Sequence, residues 1–406
     1  MQRFEKHSPV VVTEVTTRHE LRQFMQYPNR LYADNPNYIP SFYGDDLDDW
    51  TPGKNPAFDY CEARCWLARR DGEIVGRIGA ILSHKANDKF GTHRMRFSQV
   101  DFVDDSEVSA ALFGTVERWA REKGCDQVHG PLGFTDMDRE GMLVEGFDRR
   151  SLFFTNYNAP YYLEHLTRLG YRKDVDWIEY RITVPEPGGA EAERLHKLSE
   201  FILKRKHLHV ATVHHKSEYG PFVRQVFELV NAAYAPLYGV VELSDEQIER
   251  YANKFIPLVD PDFVCFVVDE QDQLVAFGVT ALDPSVALKH SDGRLFPFGW
   301  AGVLNDLHHS DTLIMLLTAV RPDLQTEGIN AVMMDHVCQS CNRHGVHFAE
   351  TGPMLELNDH ILAQWKRLEK EQHKRRRCFI KDLDHDVNAA NAAAAQTETP
   401  ETESAE

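Results

Sequence analysis

Nowhere in this 406-residue chain do enough apolar residues run together to cross a bilayer as a helix, which takes ~20. The first residues, MQRFEKHSPVVVTEV, lack the apolar stretch of a secretory signal. Cysteine is scarce, seven in all, which argues against a disulfide scaffold. Together these absences favour a reducing cytoplasm, with at most a peripheral contact at the inner membrane face. Positive charge is also short: 45 Lys and Arg against 63 Asp and Glu leave a formal net charge of -18. A general nucleic-acid binder, which must neutralise phosphates, is therefore not expected. Residues 384–406, DHDVNAANAAAAQTETPETESAE, have no Lys or Arg and almost no large apolar side chain, and read as a disordered acidic tail.

What remains is globular in composition and too long for one ordinary core, so two domains are expected. CWLARRDGEIVGRIGAIL (65–82) is strand, Asp-Gly turn, strand. A strand over 94–103 and a helix over 105–124 follow, the helix with Ser106 as N-cap and Val108, Leu112, Val116 and Trp119 on its apolar face. VPEPGGAEAE (184–193) is the linker candidate. After it the order recurs: helices over GPFVRQVFELVNAAY and SDEQIERYANKFIPLV, strands around a polar turn in 263–282, an apolar strand over 312–320, a helix over 328–345, a strand, and a helix over NDHILAQWKRLEKEQ. The repetition is one of pattern, not of sequence. The expected units are 1–187, 188–383 and the tail 384–406.

TAVRPDLQTEGINAVMMDHV joins the apolar strand to a helix. A helix N-terminus exposes unpaired amides and the positive end of the helix dipole, and a glycine lets an anion approach them. The turn is thus a phosphate cradle or simply a helix start containing a glycine. Its pattern resembles the acyl-CoA loop of the GNAT superfamily of N-acyltransferases, Gln/Arg-x-x-Gly-x-Gly/Ala, with Gln325 and Gly328 in place and Asn330 where Gly or Ala is usual. The resemblance implies an α/β (α+β) fold of two tandem GNAT-like domains, each a mixed, mostly antiparallel sheet flanked by helices. It also implies acyl-CoA as co-substrate, with pyrophosphate held by Gln325, Thr326, Glu327, Gly328, Ile329, Asn330 and Ala331 and the pantetheine arm along Leu317, Ala319 and Val320. The equivalent turn in the first half, VDFVDDSEVSAA, is acidic, so CoA is expected only in the second. HGPLGFTDMDREGMLVEGFD (129–148), GRLFPFG and QHKRRRCFIK resemble a bacterial family of tandem GNAT-like proteins related to bacterial ceramide synthases.

The 129–148 stretch carries four glycines and five carboxylates among apolar residues. Asp136-x-Asp138-x-Glu140-Gly141 imitates the start of a calcium loop, but Phe147 stands where a bidentate Glu is needed, and no metal is expected. One reading is a loop whose acids cap its own amides. The other is a clamp for an amine substrate, with Glu145 as general base, Asp138 second, and Phe134, Asp136 and Met142 against the substrate. Glu350, a third catalytic candidate, ends the strand after the CoA helix, facing the acyl carbonyl region, and Asn358 and Trp365 beyond it are further substrate-binding candidates. Asn358 is the expected cap of the next helix, and the resemblance puts Trp365 where many GNAT enzymes have the Tyr that protonates the thiolate; indole cannot act as that acid.

Cys338 and Cys341 read as core, and the pairs His214-His215 and His308-His309 as solvated. His373–Arg377, HKRRR, is an exposed helix end or a contact for CoA phosphate, an acidic carrier protein or anionic lipid. Phe296, Phe298 and Trp300 belong to the core, an acyl channel or a membrane-facing lip. The functional expectation is acyl transfer from acyl-CoA or acyl carrier protein to a primary amine, with a sphingoid-type amino alcohol or other lipid-like molecule as the candidate acceptor. The rival is a non-catalytic protein that senses acyl-CoA or binds a partner. Oligomeric state is not legible.

Overall fold

The computed structural model describes residues 8–383; the expected tail, 384–406, lies outside them. The first half supplies strands β1 (Val11–Glu14), β2 (Cys61–Arg70), β3 (Glu73–Ser83), β4 (Arg94–Phe102), β5 (Gln127–Gly130), β6 (Met142–Glu145) and β7 (Arg172–Thr183). The second supplies β8 (His209–Val210), β9 (Val264–Val268), β10 (Leu274–Leu282), β11 (Thr312–Val320), β12 (Phe348–Glu350), β13 (Met354–Leu355) and β14 (Lys370–Asp382). The β2–β3 hairpin closes through Asp71 and Gly72, both at positive φ, as a tight turn between right-twisted strands requires. The Ser106–Glu122 helix buries Val108, Leu112, Val116 and Trp119, and its N-cap is Asp105, one residue before the expected Ser106.

All fourteen strands form one sheet, in the order β1-β2-β3-β4-β5-β14-β7-β12-β11-β10-β9-β8, with β6 on β14 and β13 on β7. The last strand of the chain, β14, lies in the first half, antiparallel to β5. The last strand of the first half, β7, lies against β12 of the second. β7 and β14 then pair along Arg172–Ile182 and Lys370–Ile380. Each half is thus closed by a strand lent by the other, and the 187/188 boundary crosses no gap in the sheet.

Two expectations about residues 358–377 are corrected here. The helix spans only Asp359–Ala363; from Lys370 the chain is strand, because ladders on both sides satisfy its backbone better than an isolated helix would. HKRRR is therefore neither an exposed helix end nor a phosphate contact. Lys374 and Arg376 are fully buried, and His373 nearly so. Arg376 Nε meets Glu179 at 2.5 Å, and Lys374 Nζ sits 3.3 Å from Glu179 and 3.2 Å from Glu350. Burial pushes the Glu179 carboxyl up, but the charges of Arg376 and Lys374 outweigh it and hold it below the usual range. On the opposite face Arg377 and Arg375 bind Asp176.

The apolar core is split by this sheet. One cluster fills the first half around Phe97, Phe102, Phe113 and Trp119. Two others lie in the second half, around Val275, Val332 and Cys341 and around Phe227, Phe266 and Phe277. All seven cysteines are free and buried, and Cys338 and Cys341 are core residues as read. Among the described residues no helix is long and apolar enough to cross a membrane.

Candidate active site

β11 pairs with β12 in parallel only over Thr312–Ile314 with Phe348–Glu350. Beyond Ile314 the two strands part, so that from Met315 to Val320 β11 has no strand partner on that side. On its other side, against β10, the register shifts between Val279 and Thr280 and leaves Leu316 without a partner, a bulge that re-aims the backbone. The wedge opens onto an apolar cavity of about 750 Å³ lined by Met315, Leu317, Thr318, Asn330, Met333 and Trp365, among others.

At the top of the wedge β11 passes through a single turn, Pro322–Leu324, into the Asn330–His344 helix. Gly328 has φ +80, a left-handed conformation natural to glycine. A Cβ there would lie 3.1 Å from Ile202 Cδ1. Gln325, Thr326, Glu327 and Gly328 are exposed, Asn330 is half-buried, and Ile329 and Ala331 are buried. Glu327 donates its amide to Leu324 and Ala331 to Gly328, while the amides of Thr326, Gly328 and Ile329 bond no other backbone group among the described residues. The side chain of Gln325 is folded back on Val320 O at 3.3 Å. Lys206 Nζ stands 2.6 Å from Glu327 and offsets the carboxylate at the rim. Free amides and a left-handed glycine fit a pyrophosphate. The first half has no such vacancy. Asp105 caps its own helix and pairs with Arg70, and the β4–β5 wedge is filled by the chain after β5, Leu132 donating to Phe97 O.

The acids of the 129–148 stretch separate into distinct places. Asp138 caps the loop, accepting from the amides of Phe134 (2.8 Å) and Thr135 (3.1 Å). It faces a cavity of about 620 Å³ between the halves, shared with Asp45, Asp46, Asp49, Arg139 and Lys254. The three aspartates of the Tyr43–Asp49 helix each have a cation: Arg139 binds Asp46, Arg250 binds Asp49, and Lys254 lies 3.7 Å from Asp45. Phe134 forms a wall of this cavity against Trp50 and Phe58. Met142 is packed in the first-half core. Glu145 is exposed on β6 and paired with Arg375, away from Asp138. Glu350 is engaged by Lys374 and lies 3.8 Å from His373. The sequence reading thus named residues that the fold does not bring together.

Asp136 and Glu140 differ from these. No side chain hydrogen-bonds either one. Burial, then the charge of Asp138, raises the Asp136 carboxyl to about 6, against the pull of its own amide. Burial, then Asp136, holds Glu140 well above the usual range. Asp136 lies close enough to Tyr234 that its charge adds to burial in raising that phenol to about 12, against the hydrogen bond from Tyr234 to Thr318 O (2.8 Å) on the free edge of β11. A third, apolar cavity of about 500 Å³ shares Leu317 with the wedge cavity and Phe255 with the acid cavity. The wedge cavity and this one lie on opposite faces of β10, lined by Gly278 and Thr280 and by Val279 respectively, and neither Asp136 nor Glu140 lines any of the three. Tyr234, Lys254 and the acids of YGDDLDDW were missed from sequence; only the density of that acidic run hinted at them. Asn358 caps its helix through Ile361, as read. Trp365 is buried and donates its indole N–H to Met354 Sδ at 3.2 Å.

No family model matches the sequence. The chain is 27% identical over 379 residues to Protein YghO of Escherichia coli, covering 92% of this chain and 95% of that protein. It is 28% identical over 300 residues to the bacterial ceramide synthase of Caulobacter vibrioides, covering 72% and 75%. Among solved structures it is similar to a tandem GNAT protein from the clavulanic acid biosynthesis pathway, at a TM-score of 0.53 and 13% identity, covering 93% of this chain and 99% of that one. A GCN5-related glucosamine N-acetyltransferase region of a fungal multi-domain β-N-acetylglucosaminidase is also similar, at a TM-score of 0.51 and 11% identity, covering 92% of this chain and 38% of that one. The splayed β11–β12 pair, the glycine turn above it and these likenesses agree: the chain has the tandem GNAT fold.

Proposed function

We propose that the chain is an N-acyltransferase that moves an acyl group from a CoA or acyl-carrier thioester to a primary amine, and that the amine is a lipid-like amino alcohol of sphingoid type. The observation that carries this reading is the set of free amides at the Gly328 turn above the unpaired edge of β11, with Tyr234 bonded to Thr318 O on that strand and within reach of the charge of Asp136. The amides of Thr326, Gly328 and Ile329 would hold pyrophosphate, with Lys206 offsetting Glu327. The free edge of β11 from Leu317 to Val320 would receive the amides of the pantetheine arm as an added strand would. The thioester supplies an activated carbonyl. Asp136 is the base: with its carboxyl near 6 it is ionised at neutral pH yet basic enough to accept the ammonium proton, and burial with the nearby charge of Asp138 keeps its basicity high. This replaces Glu145 and Asp138, which are committed to Arg375 and to capping. Trp365 gives its N–H to Met354, so the thiolate departs without that help. The apolar walls of the wedge cavity and of its neighbour suit a long-chain reactant, and the likeness to a ceramide synthase supports the sphingoid reading.

The test is direct. Purified protein is mixed with acyl-CoA or acyl carrier protein thioesters and a long-chain amino alcohol, and the amide is sought by mass spectrometry alongside released thiol. Amide formation is expected. If thioester binds but no amide forms with any pair, the rival reading, an acyl-CoA sensor, takes its place.

A further inference from the structure

The excursion between β10 and β11 contains two helices, Ser285–His290 and Gly299–His309, joined by SDGRLFPF. The inner side is core: Ala287, Leu288, Val303 and Leu307 pack with Phe42, Phe153 and Ile314. The outer side is unlike the rest of the surface. Phe296 and Phe298 are each 81% exposed, Trp300 47% and Val286 50%, with Leu304 one turn beyond Trp300. Burial elsewhere in the core would have left such side chains few reasons to point outward, and isolated exposed Leu or Val is ordinary; two Phe and a Trp clustered on one projecting loop are not.

We infer that this lip docks on a lipid bilayer, with Phe296, Phe298 and Trp300 inserted at the interface. Three features favour a bilayer over a protein. The aromatics stand on a projecting connection, the shape suited to a fluid partner. Trp300 already gives its N–H to Pro297 O (3.2 Å), so its ring can enter an apolar layer without stranding a donor. Charge at the patch is low: from Ser291 to Asn305 the charged residues are Asp292 and Arg294 alone, in a chain with net charge -18, and exposed His290, His308 and His309 border it. Asp306, next along, is occupied in accepting the Ala287 amide. The lip is also fixed to the site. Tyr43 donates its amide to Gly293 O, which ties the connection to the helix that carries Asp45, Asp46 and Asp49. Phe42 and Phe153 pack beneath the lip and line the acid cavity. If the acyl-transfer reading holds, the lip sets that cavity beside the membrane from which a lipid-like amine would come. Docking itself does not depend on it.

Trp300 gives a direct readout, because the other five tryptophans are buried. The full chain is mixed with vesicles of phosphatidylcholine alone or with a third phosphatidylglycerol, then floated on a gradient. The wild type is expected to float with vesicles, more so with phosphatidylglycerol. Its emission should shift to shorter wavelength and be quenched by lipids brominated on the acyl chain. The F296S/F298S variant, with circular dichroism and melting unchanged, is expected to lose at least about tenfold in partitioning, and W300F to lose the spectral change while still floating. Failure of the wild type to bind either vesicle, or equal binding by F296S/F298S, overturns the inference. So does a vesicle-indifferent dimer that F296S/F298S disperses, since a second copy would then cover the patch. No substrate enters this experiment, so its failure leaves the amide assay standing.

Discussion

At the residue scale the proposed base is Asp136. Its carboxyl is raised from 3.8 to about 6, so the folded protein binds its proton more tightly than the unfolded chain does. The contribution to stability is then full below about pH 3.8 and falls as the pH rises through 6, because ionisation is opposed only in the fold. Asp136→Asn removes that cost. It should stabilise the protein by about 1 to 3 kcal/mol at pH 8, taking ~1.4 kcal/mol per pKa unit, and change it little at pH 3. Acyl transfer should drop at least about a hundredfold, in the range of a lost general base. Urea denaturation at the two pH values and the amide assay together read both effects. A destabilised variant at pH 8 would mean that Asp136 is ion-paired. The sequence showed that this loop held too many acids among apolar residues. It could not show which acids were already neutralised, because Arg375, Arg139 and the amides that engage Glu145, Asp46 and Asp138 come from other elements or from the folded shape of the loop itself.

At the scale of elements, β14 shows why part of the fold was hidden. An amphipathic strand is read from alternation of apolar and polar residues. In HKRRR both faces are charged, one toward Glu179 and Glu350, the other toward Asp176 and Glu356, and these partners lie on β7, β12 and the segment after β13. The hairpins, the 106–122 helix and the β11-to-helix turn were legible because their signals are local. Breaking the buried pair at one end should be costly: Arg376→Met leaves Glu179 with Lys374 alone and is expected to lose about 3 to 5 kcal/mol. The double variant E179L/R376M should recover part of this, since no unpaired carboxylate then remains at that position. Chemical denaturation of the three proteins checks it. Additive losses would show that the two side chains do not act as a pair.

For the whole molecule, lending β14 to the first half and β7 to the second makes the halves interdependent. A single cooperative transition is expected in calorimetry despite the tandem design, and a chain stopped after Glu369, which strips a partner from β5 and β7, should lose native near-ultraviolet circular dichroism in both halves. Two separate transitions would contradict this. The same arrangement puts the proposed thioester turn in one half and the acid-rich loop in the other. Thioester binding at the Gly328 turn is tested most directly by calorimetric titration of long-chain acyl-CoA into the wild type and into Gly328→Val, the latter first shown to be folded. The wild type should give saturable heat. The variant, with a Cβ forced into left-handed backbone and against Ile202, should bind at least about tenfold more weakly, ~1.4 kcal/mol. Equal affinity in the two proteins, or no heat from CoA, acyl-CoA or a carrier-borne thioester, would contradict it.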